Sequence, residues 1–191
     1  MAFHNDLLAL AQDIADLPSL ERRQVNIRRA ISTAYYALFH LLISEATLNW
    51  ARVELRPVLA RFFDHGPMYA AAINKESDLN AYFKSNPAES PERNIADHLR
   101  TVAQTFVQAQ QRRIDADYNL TKDIDETDMF TQLETVAAAF KSWNLIRGEA
   151  SAQAFLLSML STKDRREKKF APPKRRKPHT KRPIADNPQM T

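Results

Sequence analysis

Only two glycines, Gly66 and Gly148, occur in 191 residues. A chain this poor in glycine has few positions where the backbone can take a positive φ. Hairpin-rich β folds are disfavoured, and Gly-rich phosphate loops and the dinucleotide-binding fingerprint are excluded. The abundance of alanine points the same way, to an all-α protein. With 44% apolar and 26% charged residues, the chain can bury the core of one globular domain. Cysteine is absent, which removes disulfides, thiolate nucleophiles and cysteine-held zinc or iron–sulfur centres. No apolar run approaches the roughly 18 residues a membrane span needs. Met1 to Leu17 is acidic and amphipathic, without the basic start of a secretory leader, so a cytoplasmic protein is expected.

The net charge of +4 conceals two opposite parts. Residues 163–191 hold 11 Lys or Arg against 3 Asp or Glu, while residues 1–162 hold 16 against 20. Five of the ten prolines also fall in 163–191. With so few apolar groups this basic tail is expected to be disordered. Its run Lys174-Arg175-Arg176-Lys177 suits a polyanion, nucleic acid first. A purely solubilising tail is the other reading.

Helical periodicity organises the rest. Residues 1–18 form an N-terminal helix ended by Pro18. From about Ser19 to Trp50, residues Ile27, Ala30, Ile31, Ala34, Tyr35, Leu38, Leu41 and Leu42 recur at steps of three and four, which puts them on one helix face. Ser19 is the expected cap. A short helix is expected over Val53 to Phe63 and another over Met68 to Asn74. Between them Gly66 would close the first and Pro67 open the second. Ser90 then caps a long helix with Pro91 at its first turn and Ile95, Leu99, Val102, Ala103, Phe106, Val107 and Ile114 on its apolar face. Asp125 to Asp128 open the next, carrying Met129, Phe130, Leu133, Val136, Ala137 and Phe140, and a last helix runs from Glu149 to Ser161. The expected fold over residues 19–162 is an up-and-down bundle of four to five helices.

The segment Arg28-Arg29-Ala30-Ile31-Ser32-Thr33-Ala34-Tyr35-Tyr36-Ala37-Leu38-Phe39-His40, the later His65-Gly66, and Arg113-Ile114-Asp115-Ala116-Asp117-Tyr118 together resemble one branch of the HEPN superfamily (higher eukaryotes and prokaryotes nucleotide-binding). The likeness spans roughly residues 20–146. It implies a helical domain that pairs with itself, and in many members a metal-independent ribonuclease whose signature is Arg, four to six residues, then His, with two such sites on paired protomers forming one cleft. In that chemistry Arg stabilises the phosphorane and His moves the proton of the attacking 2′-hydroxyl. Other members are non-catalytic modules that bind a partner protein, such as a nucleotidyltransferase or an antitoxin, or a nucleotide.

The matching position here reads Arg113, Asp117, Tyr118, with Tyr where the nuclease pattern has His. A phenol with a pKa near 10 is a poor base at neutral pH, but it can donate a hydrogen bond or stack on a base. Arg113 and Asp117, four apart, could equally be an ion pair that tethers the helix end. A second candidate, Arg93, Asn94 and His98, fits the spacing literally, but five residues turn a regular helix by roughly 140° and point its ends apart. Arg29, Ser32, Tyr36 and His40 form a polar stripe on the long helix. It is either a wall of a nucleic-acid or nucleotide cleft, with Arg29 on phosphate and His40 in acid–base work, or an ordinary solvated or dimer-facing edge. His65 is assigned to a turn, and Trp50 and Trp143 to core or interface. No metal spacing is found, and neither metal nor cofactor is expected.

Overall fold

The structure, a computed structural model, describes residues 2–18, 23–86 and 88–160. The expected Ser19 cap and the basic run Lys174, Arg175, Arg176 and Lys177 lie outside the described residues.

Seven α-helices are present among the described residues, and no strand. They are α1 (Phe3–Ala15), α2 (Arg23–Leu48), α3 (Arg56–Ala60), α4 (His65–Ser85), α5 (Pro91–Tyr118), α6 (Glu126–Ile146) and α7 (Ala150–Met159), with a 3-10 turn at Val53–Leu55 before α3. The chain is all-α as expected, and the helix count exceeds the four to five expected.

The structure departs from the expectation in two places. The 51–85 stretch divides differently from the pattern read in it. The chain makes only the 3-10 turn and the five-residue α3, then one continuous helix from His65 to Ser85. Gly66 therefore sits in the first turn of α4 instead of closing a helix, and no residue takes a positive φ among those described. A glycine beside Pro67 reads as a stop, but proline is tolerated in a first helical turn, where its missing N–H is not needed. The second place is the N-terminus. Helix α1 packs along α2 and also touches α6, so it is a member of the bundle, not a separate element.

Helix α2 is the axis. All eight residues of its expected apolar face are buried, and so are Ala37, Phe39, Ile43 and Ala46 on other sides. Helix α5 lies antiparallel to it: Arg28 near the start of α2 reaches Ala116 near the end of α5, and Tyr35 packs on Phe106. Helix α6 runs antiparallel to α5, with His98 against Ser142 at one end and Arg112 against Gln132 at the other. Trp143, Tyr35, Phe106 and Phe155 are the largest fully buried side chains. Ile114 and Phe130, placed on apolar faces by periodicity, are instead exposed.

The caps that set α5 and α6 are local and legible. Ser90 Oγ accepts from the Arg93 N–H at 3.1 Å, and Asp125 Oδ1 accepts from the Asp128 N–H at 2.7 Å. Each satisfies a backbone donor that the helix start leaves open.

Candidate functional site

The last two turns of α5 carry Arg113, Asp117 and Tyr118, and a helix end leaves carbonyls without partners. Arg28 of α2 supplies them. Its guanidinium donates to the carbonyls of Ala116 at 2.9 Å, Asn119 at 3.1 Å and Asp115 at 3.3 Å, and also to that of Lys122. A cation here also complements the negative end of the helix dipole. Gln24, one turn earlier on α2, donates to the Ile124 carbonyl at 2.7 Å, and Lys122 pairs with Asp115 at 2.7 Å. The loop between α5 and α6 is thus pinned to α2.

That anchoring fixes Arg113 against the stripe of α2. Arg113 Nη2 donates to Tyr36 Oη at 2.7 Å, and Arg113 Nε lies 2.7 Å from Asp117 Oδ2. Ser32 Oγ donates to the same Asp117 oxygen at 3.2 Å. The guanidinium carbon sits 5.3 Å from the ring centres of both Tyr36 and Tyr118, within cation–π range. The Arg113 side chain is only 15% exposed, whereas Tyr118 is 68% exposed. Partial burial works against the Arg113 charge, but the neighbouring Tyr36, Asp117 and Tyr118 outweigh it and hold its pKa above the ordinary value.

Two histidines flank Tyr36. The His40 ring lies near-parallel to it with centres 6.4 Å apart, and Phe3 of α1 covers His40 edge-on at 5.0 Å. His65, the first residue of α4, meets the Tyr36 ring edge-on at 5.8 Å and stacks on Phe39 at 4.3 Å. Its Nδ1 is 2.6 Å from the hydroxyl of fully buried Tyr35. A buried phenol must place its O–H, so we assign Tyr35 as the donor, which leaves His65 with its proton on Nε2. Burial lowers the pKa of both histidines. At His40 the neighbouring His65 and His4 lower it further, and at His65 the Arg113 charge does so against a small opposing pull from Asp64. Burial likewise raises the pKa of Tyr35. Near neutral pH the site therefore presents one cation and two uncharged imidazoles.

The structure thus brings together Arg113, Asp117, Tyr118, Ser32, Tyr36 and His40. Arg29 is exposed on α2 and takes no part in the contacts above. The second candidate diverges, as helix geometry requires. Arg93 turns to the end of α4, where it bonds the Asn86 carbonyl, pairs with Glu89 at 3.4 Å and covers the Phe83 ring at 4.6 Å. His98 Nδ1 instead lies 3.2 Å from Ser142 Oγ on α6, and Asn94 is exposed. Arg93 and His98 do not share a cleft within one chain.

Sequence reasoning missed two residues. His65 belongs to the cluster and not merely to a turn; the pairing of aromatic residues on α2 with a histidine after the next short segment was the signal. Arg28 opens the quoted motif but its capping role depends on a partner 88 residues away in sequence. Among the described residues no group of three or more His, Asp and Glu is arranged to hold a metal ion. No helix of those described is long and apolar enough to cross a membrane. Comparison with protein-family models, curated proteins and solved structures finds no match for this chain.

Proposed function

We propose that the chain is an RNA-acting protein of HEPN type, a toxin- or defence-like endoribonuclease that cleaves without a metal ion at Arg113. The observation that carries this reading is the environment of Arg113: a buried-edge guanidinium held by Asp117 and Tyr36 beside two uncharged imidazoles. In this reaction the ribose 2′-oxygen bonds to phosphorus and the bond to the 5′-oxygen breaks. His40 accepts the 2′-hydroxyl proton. Arg113 and the Nε2–H of His65 donate to the phosphorane oxygens, where preorganised donors act most strongly. Tyr36 accepts from Arg113 and so keeps its own O–H for the leaving 5′-oxygen. Water then carries the proton from His40 back to Tyr36. The exposed ring of Tyr118 offers a surface for a base to stack on.

A second reading is a non-catalytic module that binds a partner protein or a nucleotide. Tyr118 in the place of a histidine favours it, as does the Asp117 carboxylate that already neutralises Arg113. Cleavage of RNA in excess chelator, measured for the natural chain, Arg113→Ala and Arg93→Ala, separates the two. The enzyme reading expects cleavage by the natural chain and Arg93→Ala and loss in Arg113→Ala. Absent cleavage in all three removes it and leaves the binding module.

A further inference from the structure

Small side chains leave a gap in the packing where α7 begins. Ala96 of α5, with Ala150 and Ser151 at the start of α7, lines a groove of about 440 Å³ that also borders α4. Close-packed interiors leave few such spaces. The floor of the groove is the core itself: Leu79, Ala96 and Leu99 are buried, and Tyr82 and Ile95 pack against them partly buried. The volume lies within the range of small-ligand sites, on the order of 300–1,000 Å³.

The rim has one sign of charge. Among the described residues the groove is lined by three carboxylates, Asp78, Glu92 and Glu149, and by no cation. Glu92 is held ionised, because its own backbone N–H and the Ser90 hydroxyl bond its carboxylate and lower its pKa. The side chains of Asp78 and Glu149 make no hydrogen bond or ion pair to a described residue. Glu92 and Glu149 also suit the positive starts of α5 and α7, but Asp78, midway along α4, has no such partner. An apolar floor takes an apolar body, and an anionic rim takes positive charge. Ten described residues line the groove, against the roughly 20–30 a side of a specific protein interface, so the occupant is a small molecule.

We propose that this groove binds a small organic ammonium, its apolar chain or ring on Leu79, Ile95 and Leu99 and its cationic head toward Asp78 and Glu149. The Tyr82 ring adds an aromatic surface, which favours an ammonium further. An anion of the same shape meets three carboxylates and is rejected. The groove is distinct from the Arg113 cluster: Leu99 and Arg113 are fourteen residues apart on α5, about 21 Å along the helix. The inference is independent of the RNA reading.

The test is methyl NMR of the full chain titrated with decylammonium below its micelle concentration, read at Leu79, Ile95 and Leu99. Saturable shifts with a dissociation constant of about 0.1–1 mM are expected, since a short apolar contact and exposed ion pairs are each weak. Decanoate, the same length of chain with the opposite charge, should leave these methyls unmoved. Putrescine, with charge but few methylenes, should bind at least about tenfold more weakly. Asp78→Asn/Glu149→Gln should raise the dissociation constant of decylammonium about fivefold or more. Ala150→Trp sets a large ring in the groove wall and should abolish binding. All three replaced side chains are exposed, so the fold is kept, and unchanged methyl signals away from the groove verify it. Unmoved groove methyls, equal binding of decanoate or putrescine, or variants that bind like the natural chain would each overturn the proposal. So would ligand-free shifts of the same methyls with protein concentration, which mark a second copy, or tighter binding of a Lys/Leu peptide, which marks a protein segment.

Discussion

Arg113 donates to Tyr36 Oη at 2.7 Å across 77 residues of sequence. This bond joins the aromatic landmark of α2 to the Asp-Tyr landmark of α5, and the rest of the cluster is arranged around it. Removing its acceptor tests how much it matters. Tyr36→Phe keeps the ring under the guanidinium but deletes the hydroxyl. A loss of about 1–2 kcal/mol is expected, because a partly buried charged donor loses a partner. The urea midpoint at unchanged m-value measures it.

Asp117 distinguishes a tether from a binding site. Its carboxylate takes Arg113 at 2.7 Å and the Ser32 hydroxyl at 3.2 Å, largely out of solvent. Asp117→Asn is expected to lower stability by about 1–3 kcal/mol, since one partner of a part-buried pair is neutralised. If Arg113 meets phosphate, the same change also tightens RNA binding, because a competing anion is gone. Fluorescence anisotropy with a short single-stranded RNA reads the second effect; a purely structural pair changes stability alone.

Arg28 governs the end of α5 and through it the position of Tyr118. Arg28→Ala removes the donor to four carbonyls at once. A cost of about 1–3 kcal/mol is expected, by analogy with charged hydrogen bonds at helix ends. Hydrogen exchange should localise it, with faster exchange at Ala116–Asn119 and little change at the Ser90 end of the same helix.

How much of this was legible in the sequence follows from the range of each interaction. The caps Ser90 and Asp125 act over three residues and could be read directly, as could the apolar face of α2, where periodicity and burial agree at every position. Arg113 with Asp117 is a four-residue pairing and was equally visible. The division of 51–85 was not, because Gly66 and Pro67 fit a helix end and a helix start alike. Arg28 and His65 act on residues 88 and 30 positions away. No local pattern encodes such partners. Arg93 and His98 show the converse: a motif that matches in spacing, on a helix whose geometry sends the two side chains to different neighbours.

Acid should weaken the fold through the two histidines. Both have folded-state pKa values below the ordinary 6.5, so the unfolded chain binds protons first as pH falls. Their stabilising contribution is complete above pH of about 6.5 and is lost as pH drops through the depressed folded values. The thermal midpoint should fall between about pH 7.5 and 5, and less steeply in His40→Gln. Under the proposed chemistry the cleavage rate falls over the same window, because a protonated His40 accepts no proton.

The central claim, that Arg113 directs attack by a ribose 2′-hydroxyl, is tested most directly by single-turnover cleavage in excess chelator, comparing RNA with its 2′-O-methyl counterpart. The account predicts cleavage of the RNA to 2′,3′-cyclic phosphate ends, none of the methylated strand, and a loss of about 100-fold or more in Arg113→Lys. An uncleaved RNA, cleavage of the methylated strand, or an Arg113→Lys variant as fast as the natural chain would contradict it.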